Sequence, residues 1–168
     1  MHSSKILDSN MKKEEDKIYA YYYCINNIDF IISEKNNFIV GIIFSENLPL
    51  HSINKKTSLI KLCANQLNEY MNKSRKEFSI PISYSGTSFQ NKVWDNLQKI
   101  PYGKQVSYKD LAIMIGNPKA YRAVGNAVHN NNIVIVVPCH RIIKNNGDIG
   151  GFGGGEAIKK KLLDIEKS

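Results

Sequence analysis

Cysteine is scarce in this sequence, and what there is lies scattered. Cys24, Cys63 and Cys139 are odd in number and far apart. They form neither a disulfide framework nor a Cys-x-x-Cys metal pair. A reducing compartment suits such a chain, cytoplasmic or, in a eukaryote, nuclear, and it leaves a free thiol available for chemistry. Long apolar runs are also missing, and no stretch approaches the roughly 20 residues of a membrane span. Met1 to Asp16 is polar and charged, without the apolar core of a secretory signal, so neither export nor a membrane partner is expected. Acidic residues are outnumbered: 15 Asp+Glu stand against 23 Lys+Arg, a net charge of +8. The imbalance is uneven. Residues 1–84 hold 11 Lys+Arg and 9 Asp+Glu (+2), and residues 85–168 hold 12 and 6 (+6). A positive C-terminal half suits a polyanion such as nucleic acid, and it serves solubility equally well.

A chain of 168 residues can form one large domain or two small ones. In the first half, Tyr19 to Ile25, Phe30 to Ser33 and Phe38 to Phe44 read as strands, with Lys35-Asn36-Asn37 as a turn. Residues 1–16 are expected to fray. Thr57 or Ser58 can cap a helix carrying Ile60, Cys63, Leu67, Tyr70 and Met71 at helical spacing. Cys63 and Cys24 therefore read as core residues. Phe78, Ile80, Ile82 and Tyr84 alternate as in an edge strand, where Pro81 is tolerated. Ser85-Gly86-Thr87 reads as a linker. The predicted division is an α+β module over 1–84 without evident chemistry of its own and a second domain over 85–168.

The second half is mostly helical. Thr87 or Ser88 can cap a helix through Lys99, with Phe89, Val93, Trp94, Leu97 and Ile100 inward. Pro101-Tyr102-Gly103 ends it. Ser107-x-x-Asp110 is a capping box opening a second helix with Leu111, Met114 and Ile115 inward. Gly116 can end that helix in the left-handed conformation, Asn117 can cap the next, and Pro118 suits its first turn. Two helices joined by so short a turn match a helix-turn-helix. The recognition helix, Pro118 to about His129, carries Arg122 among Ala120, Ala123, Gly125 and Ala127. Small side chains there would allow close approach to a groove wall, or equally tight packing against a neighbouring helix.

Ile133 to Val137 reads as a strand delivering Pro138-Cys139-His140-Arg141. A cysteine acts as a nucleophile through its thiolate, which nearby basic groups favour. Lys144 to Asp148 is a hairpin-like turn containing Asn-Gly. Gly150 to Gly155, interrupted by Phe152, lacks the Lys-Ser/Thr pair of a nucleotide loop and reads better as a pocket wall of backbone amides. Glu156 to Glu166 closes the chain as a helix.

Taken in order, these pieces resemble the O6-alkylguanine-DNA alkyltransferases, also called methylated-DNA–protein-cysteine methyltransferases. The matching segments are Phe89-Gln90-x-x-Val93-Trp94, Ile100-Pro101-Tyr102-Gly103, Val106-Ser107-Tyr108, Gly116-Asn117-Pro118-Lys119-Ala120, Arg122-Ala123-Val124-Gly125-x-Ala127, Asn131, Val137-Pro138-Cys139-His140-Arg141, Gly147, Gly150 to Gly155 and Lys159 to Leu163. The match runs from about Gly86 to Glu166. It implies an α+β fold in which a small N-terminal sheet-plus-helix domain precedes a winged-helix-like domain bearing the helix-turn-helix and the cysteine.

The resemblance also implies a reaction. Cys139 would take the alkyl group from O6 of a damaged guanine in duplex DNA, or from O4 of an alkylated thymine. His140 would act as base through a water, oriented by Glu166, which stands close enough to the end of the sequence for fraying to weaken it. Asn131 would tie the helix motif to the active segment. The Tyr108 hydroxyl would donate to guanine N3, and the carbonyls of Cys139 and Ile142 would accept from the exocyclic amine. The Gly153 amide would approach O6, Gly154 would join the substrate-binding residues, and Phe152 would wall the base. Arg122 would fill the place of the flipped base, with Ala123 and Gly125 in the minor groove and Gln90, Lys109, Asn117 and Asn145 near DNA. A thioether is not hydrolysed by water, so each molecule would react once. No cofactor and no metal are implied. A structural zinc occurs in some relatives, but His2, Cys24, His51 and Cys63 make no local cluster. A monomer is expected. Two rivals remain: a DNA-binding regulator without chemistry, and a cysteine hydrolase using Cys139 and His140.

Overall fold

A computed structural model describes residues 17–167. The fraying expected over 1–16, and His2, lie outside the described residues. Three strands open the fold: β1 (Tyr19–Ile25), β2 (Ile28–Lys35) and β3 (Phe38–Phe44). They pair antiparallel through two two-residue turns, Asn26-Asn27 and Asn36-Asn37. All four asparagines have positive φ, between 52° and 62°. Such turns match the right-handed strand twist, and asparagine tolerates the conformation. A short β4 (Ile53–Asn54) adds parallel to β1, so the order is β3-β2-β1-β4. β2 is longer than the Phe30–Ser33 segment expected, because its central place in the sheet lets it pair on both sides.

Helix α1 (Ser58–Met71) covers this sheet. The Thr57 hydroxyl accepts from the Ile60 amide at 3.1 Å and donates to the Glu34 carboxylate. Ile60, Cys63, Leu67 and Tyr70 are fully buried. Burial pushes the Cys63 thiol up to about 12, as befits an inert core thiol. Cys24, expected in the core, is instead exposed. It shares the outward face of β1 with Tyr22, whose hydroxyl bonds Asp29 at the surface.

The second half is built from α2 (Ser88–Leu97), β5 (Val106–Ser107), α3 (Tyr108–Met114), α4 (Tyr121–His129), β6 (Ile142–Ile143) and α5 (Glu156–Glu166). Both α2 and α3 open with full capping boxes, Thr87 with Gln90 and Ser107 with Asp110. Gly116, at φ 75°, ends α3 by donating to the Ile113 carbonyl at 2.8 Å, and the Asn117 amide reaches the Ala112 carbonyl at 2.9 Å. The expected recognition helix is split. A 3-10 turn, Pro118–Ala120, precedes α4, and Asn117 makes no side-chain cap. β5 and β6 form a small parallel pair beside the helices.

Two expected strands are absent. Of Phe78–Tyr84, only Ile82 bridges to the sheet, because Pro81 has no amide to continue a ladder; its carbonyl accepts from the Ile39 amide at 2.9 Å. Ile133–Val137 is not a strand either. Ile133 bridges to Ile42, and the chain then folds back so that Val137 bridges to Val134. The edge of β3 thereby receives the segment leading to Cys139 directly: Ile42 donates to the Asn132 carbonyl at 2.7 Å and accepts from the Val134 amide at 3.0 Å. One hydrophobic core, from Ile25 to Ile165, runs through both halves. Among the described residues, no helix is long and apolar enough to cross a membrane.

Gly86 lies where α2 begins, and a Cβ there would come within 2.6 Å of the Trp94 ring and 2.9 Å of Gln90 Oε1. Trp94, the single tryptophan, is only 4% exposed and donates its indole hydrogen to the Ala127 carbonyl at 2.8 Å. Gly86→Ala should therefore destabilise the fold by about 1–3 kcal/mol through overpacking. Urea unfolding followed by Trp94 fluorescence reads this directly, and an unchanged midpoint would refute it.

Candidate active site

The segment that presents Cys139 is bent tightly. Ile135 has φ 72°, an outlier for a β-branched residue and a local strain of the kind that persists only where surrounding contacts impose it. Asn131 supplies those contacts. Its amide nitrogen donates to the Val137 carbonyl at 2.8 Å and to Cys139 Sγ at 3.1 Å, and its oxygen accepts from the Ile133 amide at 3.0 Å. Pro138 ends the bend, and Cys139–Arg141 form one 3-10 turn. At about three residues per turn, three successive side chains point in three directions. Cys139 faces a cavity, while His140 and Arg141 face Glu166.

Glu166 is the centre of this second group. His140 Nε2 lies 2.8 Å from Oε1, and the Tyr70 hydroxyl donates to the same oxygen at 2.7 Å. Arg141 donates from Nε to both oxygens, at 3.2 and 3.0 Å, and from Nη2 at 2.9 Å. The Gly103 amide reaches Oε2 at 3.0 Å. Arg141 is itself fixed by the Ile100 carbonyl at 2.6 Å, and Tyr102 bonds the Ile165 carbonyl at 3.1 Å. The Ile100-Pro101-Tyr102-Gly103 motif is thus the cradle for the end of α5. Gly103 is required there: its φ is 75°, and a Cβ would stand 2.9 Å from the Glu166 carbonyl oxygen. Four donor groups hold Glu166 in place, against the fraying expected of it.

The electrostatics follow from burial and pairing. Burial alone would raise the Glu166 carboxyl, but hydrogen bonds from His140 and Arg141 hold it well below the usual carboxylate range. For His140, fully buried, desolvation dominates and lowers its pKa despite the pull of Glu166, so the ring is neutral at neutral pH. An ionised carboxylate only accepts, so Nε2 carries the ring hydrogen. Nδ1 is then a lone-pair acceptor, buried and without a hydrogen-bond partner among the described residues. Burial also raises the Cys139 thiol, while the Asn131 amide and the Lys159 ammonium act in the opposite direction. Lys159 is 1% exposed and donates to the Ile142 carbonyl at 2.6 Å and the Gly151 carbonyl at 3.4 Å. Desolvation lowers it to about 8.

Cys139 opens onto a cavity of about 460 Å³ lined also by Tyr108, Gly125, Val128, Asn131, Phe152 and Gly153. The structure therefore brings Tyr108, Phe152, Gly153 and Gly125 together around the thiol. Burial keeps the Tyr108 phenol raised and so protonated. Ile142 is fully buried, and its carbonyl already accepts from Lys159; the Cys139 carbonyl accepts from the Ile142 amide. Each retains a second lone pair. Gly154 is not on the cavity wall. It packs on Phe44 of β3, where a Cβ would meet the ring at 2.7 Å.

Outside the cavity, Arg122 and Ala123 are exposed on α4, the guanidinium stacking 5.8 Å from the Tyr121 ring centre. Lys109 and Asn145 line one surface cleft of about 490 Å³ with Lys144. Asn117 is exposed between α3 and α4. Gln90 is apart from these, its side-chain oxygen accepting from the Thr87 amide at 2.9 Å. Among the described residues, no three His, Cys, Asp or Glu side chains gather as a metal site.

Sequence reasoning missed Tyr70, Gly103, Lys159 and the role of Arg141. A lysine at position 159 sits on the same helical face as Leu162 and Glu166, a departure from amphipathic spacing that could have marked it. Tyr70 gave no signal, since an aromatic residue at core spacing is what a packed helix needs.

The Glu166–Arg141 pair is buried on both sides, at 2% and 9% side-chain exposure. Glu166→Gln leaves the guanidinium without its counter-charge and should cost about 3–5 kcal/mol, measured by chemical denaturation. The folded carboxyl is depressed, so its contribution is complete above the unfolded value of about 4.3 and fades as pH falls toward the folded value. The gap between wild type and Glu166→Gln should therefore narrow below pH 4; a gap independent of pH, or none, would contradict the assignment.

Residues 88–168 match the family described as 6-O-methylguanine DNA methyltransferase, DNA binding domain. The chain is 47% identical over 114 residues to the constitutive methylated-DNA–protein-cysteine methyltransferase of Bacillus subtilis, covering 67% of this chain and 69% of that protein. It is 42% identical over 115 residues to the methylated-DNA–protein-cysteine methyltransferase of Methanosarcina barkeri, covering 68% and 72%. The crystal structure of Mycobacterium tuberculosis O6-methylguanine methyltransferase superposes with a TM-score of 0.83 at 32% identity, over 89% of this chain and 93% of that one. The same organism's protein solved in complex with DNA gives 0.83 at 34% identity, over 89% and 92%. With a buried cysteine, histidine and glutamate arranged as above and likeness extending over both halves, the chain belongs to the methylated-DNA–protein-cysteine methyltransferase family.

Proposed function

We propose that the protein repairs DNA by direct reversal, moving the alkyl group from O6 of an alkylated guanine onto Cys139 Sγ in one irreversible step. One observation carries this reading: the thiol stands at the wall of a cavity shared with Tyr108, Phe152 and Gly153, on the turn that also places His140 against Glu166.

The bookkeeping of atoms is simple. The S–C bond forms as the C–O6 bond breaks, the thiol proton leaves through a water toward His140 Nδ1, and the departing guanine gains a proton at N3 from the Tyr108 hydroxyl, which regains one from the protonated His140 by way of solvent. A neutral imidazole and a protonated phenol are the states each task needs. Asn131 donates to the sulfur and holds it in line. Lys159 places a positive charge near the thiol and fixes the Ile142 carbonyl, which with that of Cys139 meets the exocyclic amine. Phe152 walls the base, and Gly153 offers its amide to O6. Gly154 allows the close contact of this loop with Phe44. O4-alkylthymine, with a similar ether, is a secondary substrate.

A base inside a duplex must leave the stack to reach this cavity, at a cost of a few kcal/mol. Arg122, exposed on α4, fills the space it leaves, and Ala123 and Gly125 let the helix lie close in the minor groove. Lys109, Asn117 and Asn145 contact the backbone, with Gln90 more distant. Residues 85–168 form the DNA-binding and transfer domain, and residues 1–84 support it. The protein acts as a monomer in a compartment where thiols stay reduced, cytoplasm or nucleus, and needs no cofactor. Its product is a thioether, so each molecule reacts once.

The test is intact-protein mass spectrometry after incubation with a duplex containing one O6-methylguanine. The expected result is a gain of one methyl group, mapped to the Cys139 peptide, saturating at one per molecule and absent from Cys139→Ala. DNA binding with no change in mass would overturn transfer and leave a lesion-sensing DNA binder. Continued turnover of an ester would point to a hydrolase.

A further inference from the structure

Among the described residues, the N-terminal half places one polar atom, Tyr70 Oη, in hydrogen-bond contact with His140 and Glu166. Tyr70, on the last turn of α1, is fully buried, 70 positions from His140 and 96 from Glu166. Its ring packs against Phe78, Tyr102 and His140, with centres 5.6, 6.1 and 6.4 Å away. A phenylalanine would fill that space as well. A buried hydroxyl is costly unless it is hydrogen-bonded, so its position needs a reason beyond packing.

The three polar atoms form a closed triangle. Tyr70 Oη lies 2.7 Å from Glu166 Oε1 and 3.3 Å from His140 Nε2, and Nε2 lies 2.8 Å from the same Oε1. Burial, reinforced by the Glu166 charge, raises the phenol far above its usual range, so it remains a donor. Its hydrogen goes to Glu166, which leaves an oxygen lone pair facing His140 Nε2. That arrangement is favourable only when Nε2 bears a hydrogen. With the other tautomer, the Nε2 lone pair would face both Oε1 and Oη, and Tyr70 could relieve one repulsion only by abandoning the other partner. Charge neutralisation is not the need here, because Arg141 and the Gly103 amide already serve Glu166.

We propose that Tyr70 is a positioning residue for alkyl transfer: its hydroxyl reinforces the Nε2–H form of His140 that the Glu166 carboxylate favours, and so helps keep Nδ1 available to take the thiol proton. The N-terminal half thereby takes part in the chemistry through one oxygen atom. The inference rests on the transfer reading above and names a second group, beside Glu166, that holds its base.

Tyr70→Phe removes that atom and retains the ring. Single-turnover transfer from an O6-methylguanine duplex should slow about tenfold, the size of one hydrogen bond to a charged group, with the dissociation constant for DNA within about twofold of wild type. In 15N NMR, His140 of the wild type should show a protonated Nε2 and a bare Nδ1, and in Tyr70→Phe the two signals should move toward each other as tautomers mix. A packing role would leave the tautomer unmoved. Tyr84→Phe, which loses a hydroxyl bonded to Asp95 away from the site, should match wild type in both readouts. A Tyr70→Phe rate within twofold of wild type, or an unchanged His140 spectrum, overturns the proposal. A wild type that transfers no methyl overturns the transfer reading instead, and the His140 spectra still decide whether Tyr70 sets the tautomer.

Discussion

A carboxylate can be buried only where donors replace the water it loses, and the site is arranged around that requirement at Glu166. Arg141, His140, Tyr70 and the Gly103 amide all converge on its two oxygens. These donors come from three parts of the chain, the turn after Pro138, helix α1 and the loop after α2, and they meet on a fourth, α5. Satisfying one charge therefore fixes where the end of α5 lies, which way the imidazole faces, and how the turn bearing Cys139 sits between them. A missing donor would leave a buried charge partly exposed to a low-dielectric interior, an outcome more costly than any single bond suggests.

The same constraint separates two jobs within a tripeptide. Adjacent residues on an extended strand would alternate between faces, and His140 would point away from everything near Cys139. The 3-10 turn instead spreads Cys139, His140 and Arg141 around an axis, so the thiol meets the cavity while the next two side chains meet Glu166. Asn131 stabilises the tight bend ahead of it, including the left-handed Ile135, by bonding both backbone and sulfur. Lys159 does the equivalent behind it by holding the Ile142 and Gly151 carbonyls. The glycine-rich segment can then close over the cavity with Phe152 against Phe44, ring centres 5.4 Å apart.

What was legible in the sequence was local. Ser107 and Asp110, Gly116 and the periodic faces of α1, α2 and α5 act over three or four residues, and each element formed where those signals stood. The apolar run Ile133–Val137 misled, because continuous hydrophobicity reports burial and not strand geometry; here it marks a folded-back segment. Phe78–Tyr84 misled for a similar reason, its alternation real but its ladder stopped at Pro81. Cys24 looked like a core residue because strand character alone does not say which face is covered. At the site, Pro138-Cys139-His140-Arg141 suggested a reactive cysteine, but the pairing of His140 with Glu166 came only through family resemblance, since 26 residues separate them. Tyr70 was out of reach, because its partner is 96 positions away and its spacing is that of an ordinary core aromatic.

The claim on which the rest depends is that Glu166 remains an ionised carboxylate inside the protein. It can be read by following the 13C resonance of its side-chain carboxyl from pH 7 to pH 3 in the folded wild type. The account predicts a resonance that stays in the ionised position throughout, because the buried Arg141 and His140 bonds hold the group well below its ordinary range. A titration centred near the ordinary glutamate value of about 4.3, or above it, would contradict that claim and with it the fixed tautomer of His140.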